Sequence, residues 1–276
     1  MNRTATNPPA SHTEARAVLY PAVTEAARRV SANTVGLIDV GCGAGFDLTV
    51  DRVGITYRDG HPLGDPHSPV QLSSAIVGHR PVPVHTMPKV RTRIGIDNDP
   101  IDVTDPAVAQ RLRDSVPPDR PEQSARLDAD ITLTTATTAQ LLRGDPIDLL
   151  PGAIARVPAD ALPVVTTTWA LSRFSRERRL RFLHRLDESA AGRVVAWVSA
   201  EVVGVAPAVP TLGDRHACGH SIIGLAIFDG PALRAEAIGR CWSRGRMLSW
   251  LTDSAPHHRQ LSDITCSIRS TPAPGR

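Results

Sequence analysis

Residues 35–46 read Val-Gly-Leu-Ile-Asp-Val-Gly-Cys-Gly-Ala-Gly-Phe, and their reading decides the fold. Val35, Leu37, Ile38 and Val40 make a run that is apolar on both faces. That is the pattern of a central parallel strand covered by helices on each side. The run closes on an acid, Asp39, and then on Gly41, Gly43 and Gly45. Glycine lets the backbone turn tightly and approach a ligand closely. In open α/β sheets, ligands sit beyond the carboxyl ends of the strands. The spacing narrows the choice of ligand. A dinucleotide fingerprint has glycine at its first, third and sixth positions; counting from Gly41, the sixth position is Phe46. The Gly-Lys-Ser/Thr ending of a phosphate-binding loop is missing. An acid just ahead of the first glycine suits a cationic or amino-bearing ligand better than a pyrophosphate.

Working outward, residues 13–30 predict a helix, because Val18, Leu19, Ala22, Val23 and Ala26 recur at helical spacing, with Pro21 as a kink point. Residues 91–97, Arg-Thr-Arg-Ile-Gly-Ile-Asp, predict a second parallel strand that again ends in an acid. Residues 105–115 and 122–142 read as helices, and Arg143-Gly144-Asp145 as a turn near a third strand. Residues 162–171 are β-branched enough for a fourth strand, followed by a helix that Ser172 or Ser175 would cap. Residues 193–203 read as a fifth strand. The last two strands predict an antiparallel pair turned at Asp229-Gly230. Strands alternating with helices give an α/β fold with a mostly parallel sheet and helices on both faces. Residues 51–92 break the rhythm with Pro62, Pro66, Pro69, Pro81, Pro83 and Pro88. They are too few for a core of their own, so they read as an inserted hairpin region. The domain reading is a disordered start (1–12), one domain (13–253) and a polar tail (254–276).

Composition excludes several classes. The chain has 276 residues, 41% of them hydrophobic, which is enough for one large core. No run approaches the roughly 18 apolar residues of a membrane span, and the start lacks the apolar stretch of an export signal. The expectation is a cytoplasmic protein with no membrane partner. The net charge is +3, with Asp and Glu interspersed among the arginines, which points away from nucleic acid. The exception is the dense run Arg173, Arg176, Arg178, Arg179, Arg181 and Arg185, read as a solvated helix surface with an RNA or anion patch as the alternative. No two of Cys42, Cys218, Cys241 and Cys266 form a Cys-x-x-Cys pair, so they read as small buried hydrophobes. Asp214-x-His216-x-Cys218-x-His220 places four metal-capable side chains at alternate positions. That is not a standard zinc spacing, and no metal is expected. Oligomeric state leaves no mark in the sequence.

The segment Asp39–Gly45 resembles the first motif of class I S-adenosyl-L-methionine-dependent methyltransferases. More of the chain, including Gly-Phe-Asp-Leu-Thr-Val-Asp-Arg (45–52), Gly-Asp-Pro-His-Ser-Pro (64–69), Gly-Ile-Asp (95–97) and Thr-Thr-Thr-Trp-Ala-Leu (166–171), resembles a bacterial methyltransferase-like family known as domain of unknown function 2332. The resemblance implies a Rossmann-like class I methyltransferase fold and S-adenosyl-L-methionine as cofactor. It implies that Asp39, Gly41, Gly43 and Gly45 hold the methionine part, that Asp97 binds the ribose hydroxyls and that Asp145 lies near the adenine. Trp169, after the fourth strand, falls where methyltransferases often place substrate-facing residues. Asp65 sits in an unusual proline-rich loop and is a second substrate candidate. Glu201 and His220, in or just after the fifth strand, are candidates for a general base. The implied activity is methyl transfer to a small molecule. Two alternatives stay open: a non-catalytic or regulatory protein that keeps the fold, and an RNA-modifying methyltransferase using the arginine-rich helix.

Overall fold

A computed structural model describes residues 14–58 and 62–252. The expected disordered start and the polar tail lie outside those residues.

The chain begins with helix α1 (Ala15–Arg29) and strand β1 (Thr34–Val40), then the glycine loop and a short 3-10 helix, Phe46–Arg52. Strands β2 (Gly54–Tyr57), β3 (Pro62–Gly64) and β4 (Gln71–Ile76) follow, then β5 (Lys89–Asp97). Helices α2 (Pro106–Asp114) and α3 (Pro121–Thr135) lead to β6 (Gln140–Arg143), α4 (Pro146–Ala155) and β7 (Leu162–Thr168). Helix α5 (Arg176–Ser189), β8 (Val195–Val202), β9 (Ser221–Asp229), β10 (Ala232–Trp242) and β11 (Met247–Trp250) complete the described chain.

All strands join one mixed, mostly parallel sheet in the order β3-β2-β4-β11-β10-β9-β8-β7-β1-β5-β6. Strands β6, β5, β1, β7 and β8 run parallel, and β9 turns antiparallel to β8. The predicted hairpin insertion is not an appendage. Its β2 and β3 form an antiparallel pair, β2 and β4 run parallel, and β4 pairs with β11, so the insertion extends the sheet. Residues 140–142, expected as the end of a helix, pair with β5 instead, as does Arg143, because tertiary pairing overrides the helical pattern of a short segment.

Alternation along the strands divides the core in two. Val35, Leu37, Val164, Val198 and Leu225 pack with α1 on one face. Ile38, Val40, Val165, Val195 and Trp197 pack with α4 and α5 on the other. Helix α1 is buried all round from Ala15 to Ala27, since sheet, insertion and 3-10 helix enclose it. Pro21 lies inside it and cannot donate to the Ala17 carbonyl one turn earlier. The buried Tyr57 hydroxyl, from the insertion, donates to that carbonyl at 2.5 Å. Helix α5 is the contrast: only Phe182 and Leu186 are buried, and Ser175 caps it by accepting from the Arg178 amide.

Candidate functional site

Strand order places the site. From β1 the chain steps to β5 and β6 on one side, and later to β7 and β8 on the other. The order therefore reverses between β1 and β7, where doubly wound sheets open a crevice at the carboxyl ends of their strands. The glycine loop leaves β1 at that point. Gly41, Gly43 and Gly45 all take the left-handed conformation, with φ of 78°, 53° and 75°. A side chain is disfavoured there, and Gly41 faces a further constraint. A Cβ on it would meet the Ala170 Cβ at 2.9 Å, so the loops after β1 and β7 touch. A Cβ on Gly43 would meet nothing within 4 Å.

Asp97 ends β5, next to β1. One of its oxygens accepts from the Gly43 amide at 3.1 Å and the other from the Asp99 amide at 3.0 Å. The acid thus clamps the glycine loop as well as lying beside it. Gly144, after β6, donates to the Asp97 carbonyl at 2.9 Å, which brings the next loop to the same edge. Asp145 caps α4 by accepting from the Ile147 amide at 2.9 Å and pairs with Arg178 at 2.8 Å. Burial works against its charge, but Arg178 and the capped amides hold it below the ordinary carboxylate range.

Asp39 is buried on the α1 face and accepts from the Thr166 hydroxyl at 2.8 Å. Burial, then the nearby charge of Asp47, pushes its carboxyl well above the usual range. Asp47 itself, just past Gly45, was not singled out from the sequence. It accepts from the Thr168 hydroxyl at 2.9 Å. Burial raises it to about 6, against the pull of the Arg16 guanidinium. Arg16 is fully buried at the start of α1 and bonds Thr49 at 2.8 Å and Asp130 of α3. The Thr-Thr-Thr run of β7 serves both faces: Thr166 and Thr168 reach the α1 side, while Thr167 accepts from the Trp197 indole at 3.1 Å. The period-two alternation of a strand requires this split.

On the α4–α5 face, Glu201 ends β8. It accepts from the Leu171 amide at 3.0 Å. Burial raises it to about 7, despite the backbone amides that favour its charge. Trp169 sits at the end of β7 with φ of 53°, a rare conformation for a bulky side chain. Its indole donates to Ser221 at 2.9 Å, and Arg244 lies 5.6 Å from its ring. His220 precedes Ser221 and meets Asp214 at 2.9 Å, beside the Arg240 that also pairs with Asp214. The Arg240 hydrogen bond is the main reason that Asp214 lies below the usual carboxylate range. Thus Asp214 and His220 meet, while His216–Cys218 forms a separate 3-10 turn.

Asp65 stands apart: it lies in an exposed turn and accepts from the His67 amide at 2.8 Å. In the arginine-rich helix, Arg178, Arg179, Arg181 and Arg185 each have a partner within the fold: Asp145, the Leu171 carbonyl, Asp148 and Glu188. No helix among the described residues is long and apolar enough to cross a membrane.

These features define a class: an α/β protein with a mostly parallel sheet whose strand order reverses beside a left-handed glycine loop and an array of buried acids. The chain belongs to the family described as an uncharacterized protein conserved in bacteria, domain of unknown function 2332, whose model matches residues 2–250. No curated protein matches the sequence.

Proposed function

We propose that the protein binds S-adenosyl-L-methionine at the glycine loop and serves as a methyltransferase for a small molecule, within a Rossmann-like fold. The observation that carries this reading is Gly43. It is left-handed, it stands where the strand order reverses, and the space a side chain would fill is open. Asp97 adds to it. Each carboxylate oxygen can accept two hydrogen bonds, so the two that hold Gly43 and Asp99 leave capacity for ribose hydroxyls. Asp39 lies beneath the loop as the acid nearest an amino group. When bound, the cofactor supplies an electrophilic methyl group on a sulfonium. The chain's own residues orient the partners, which is where much of the rate in such transfers arises. Glu201 and His220 are the candidates for taking a proton from the acceptor. Asp145, already paired with Arg178, has the weakest claim to a cofactor contact.

A second reading, a non-catalytic protein that retains the fold, draws on Asp97, whose two oxygens already serve the loop.

Gly43→Ala tests the cofactor site. An alanine in this conformation costs about 1–2 kcal/mol of stability and touches no other part of the protein. Calorimetry with S-adenosyl-L-methionine and S-adenosylhomocysteine is expected to show wild-type binding and at least about a tenfold loss, roughly 1.4 kcal/mol, in the variant. No binding by the wild type sinks the proposal. Binding should also tighten as pH rises, because an ammonium beside Asp39 favours its charged form, which burial disfavours in the free protein.

A further inference from the structure

The turn after β7 closes around a buried side chain from β8. Trp169 is left-handed, with φ of 53°, and Ala170 after it is right-handed, with φ of −79° and ψ of −43°. An adjacent left- and right-handed pair turns successive backbone N–H groups toward one point, which suits an anion. Glu201, fully buried near the end of β8, supplies that anion. Its carboxylate accepts from the Leu171 amide at 3.0 Å, and the amides of Ala170 and Ser172 also favour its charge. A left-handed backbone at a bulky residue persists only where its surroundings over-determine it. Here the Trp169 amide also donates to the Ala200 carbonyl at 3.0 Å, and the Ser172 hydroxyl donates to the Trp169 carbonyl at 2.8 Å.

What the turn touches gives this arrangement its consequence. A Cβ on Gly41 would meet the Ala170 Cβ at 2.9 Å, so Ala170 lies directly against the first residue of the glycine loop. From the other side, the Ile96 carbonyl of β5 accepts from the Gly41 and Cys42 amides at 2.8 and 3.3 Å, and Asp97 accepts from the Gly43 amide. The glycine loop is thus gripped between β5 and the turn after β7. The β5 side holds it by hydrogen bonds. The β7 side holds it by contact, and that contact is set from β8, two strands and about 10 Å from β1 at ordinary strand spacing.

We propose that Glu201 is a positioning residue: through the amides of residues 170–172 it holds Ala170 against Gly41 and keeps the glycine loop in the shape that a ligand meets. The inference deepens the cofactor reading and rests on it only where ligand binding is measured. It leaves His220 as the candidate for proton transfer.

Three variants test it. Glu201→Gln keeps an acceptor oxygen for the Leu171 amide, whereas Glu201→Leu removes it with little change in size. Ala170→Gly removes only the methyl group that abuts Gly41. The first measurement is amide hydrogen exchange of the ligand-free protein, read by mass spectrometry on peptides covering residues 38–46 and 169–174. Glu201→Leu is expected to quicken exchange in both peptides by about tenfold or more, against less than about threefold for Glu201→Gln, with α3 at its wild-type rate as the reference. Ala170→Gly is expected to quicken exchange in 38–46 and to leave 169–174 protected. The second measurement is calorimetry with S-adenosylhomocysteine, where Glu201→Leu should bind at least about tenfold more weakly than wild type and Glu201→Gln should bind nearly as well. The proposal is overturned if 38–46 exchanges at the wild-type rate in Glu201→Leu, if Glu201→Gln itself loosens it tenfold, or if Ala170→Gly leaves it as protected as in wild type. Should Glu201→Leu fail to fold, the other two variants still decide. A wild type that binds no S-adenosylhomocysteine sinks the cofactor reading, while the exchange results stand on their own.

Discussion

On the face of the sheet beneath α1, Asp47 and Asp130 share one buried guanidinium, Arg16, and Asp39 lies beside Asp47. On the face beneath α4 and α5, Glu201 is buried against the amide of Leu171, with those of Ala170 and Ser172 nearby, and no cation among the described residues stabilises it. Both arrangements sit at the carboxyl ends of the parallel strands. They differ in how the cost of removing charge from water is offset. Burial raises the acids on both faces, Asp47 to about 6 against the pull of Arg16 and Glu201 to about 7 against hydrogen bonds from backbone amides and Thr167. Both faces therefore hold acids whose protons are in play, and what differs is the partner: a buried guanidinium on the α1 face, neutral donors on the other.

The largest effect should come from breaking the charged side. Arg16→Met leaves Asp130 and Asp47 without their buried partner and should cost about 3–5 kcal/mol in denaturant unfolding. The double variant Arg16→Met/Asp130→Leu should recover most of that loss, since an apolar pair needs no compensation. If the single variant is as stable as wild type, Arg16 does not hold the acids and the contrast between the faces is void.

Glu201→Gln sharpens the other side. The folded protein raises this carboxyl from 4.5 to about 7. Its stabilising effect is therefore fully present below pH 4.5 and fades as pH rises through about 7. Wild-type stability should fall by about 3 kcal/mol across that window for this group alone, and the glutamine variant should lose that slope. Unfolding curves at several pH values measure it. An unchanged slope would mean that Glu201 is ionised throughout.

The smallest effect belongs to the outer surface. Arg181 and Asp148 are 3.5 Å apart, with side chains 51% and 61% exposed. Arg181→Ala should change stability by less than about 0.5 kcal/mol. A larger loss would show that the outer helix carries more than a solvated surface.

Much of the fold was legible because buried parallel strands advertise themselves: β1, β7 and β8 are apolar or β-branched runs, the second half of β5 is glycine and isoleucine closing on an acid, and β9 and β10 flank a clear turn signal. Helix α4 and strand β11 escaped, as did two features of the sheet. Residues 140–143 form a strand too short to outweigh the helical sequence before it. The insertion's strands are short and separated by prolines, which hid their place in the main sheet. At the site, the glycine loop and Asp97 were visible from spacing. Asp47, two residues beyond Gly45, and the threonines of β7 stood in quoted segments but carried no signal of their own. Their roles come from being opposite one another across β1 and β7. Arg16 read as an ordinary arginine near the start of a helix, and Asp130 as one polar residue among several on α3.

The sequence by itself determined the alternation of strand and helix, the turn after β1 and the acids that end β1 and β5, because these follow from apolar period and from the conformational freedom of glycine at neighbouring positions. Only the tertiary structure decided that α1 is enclosed on every side, that Arg16 meets Asp130 across 114 positions of chain, and that the insertion joins the main sheet where β4 meets β11. Such contacts depend on which distant surfaces the sheet order brings together, and no local pattern encodes that.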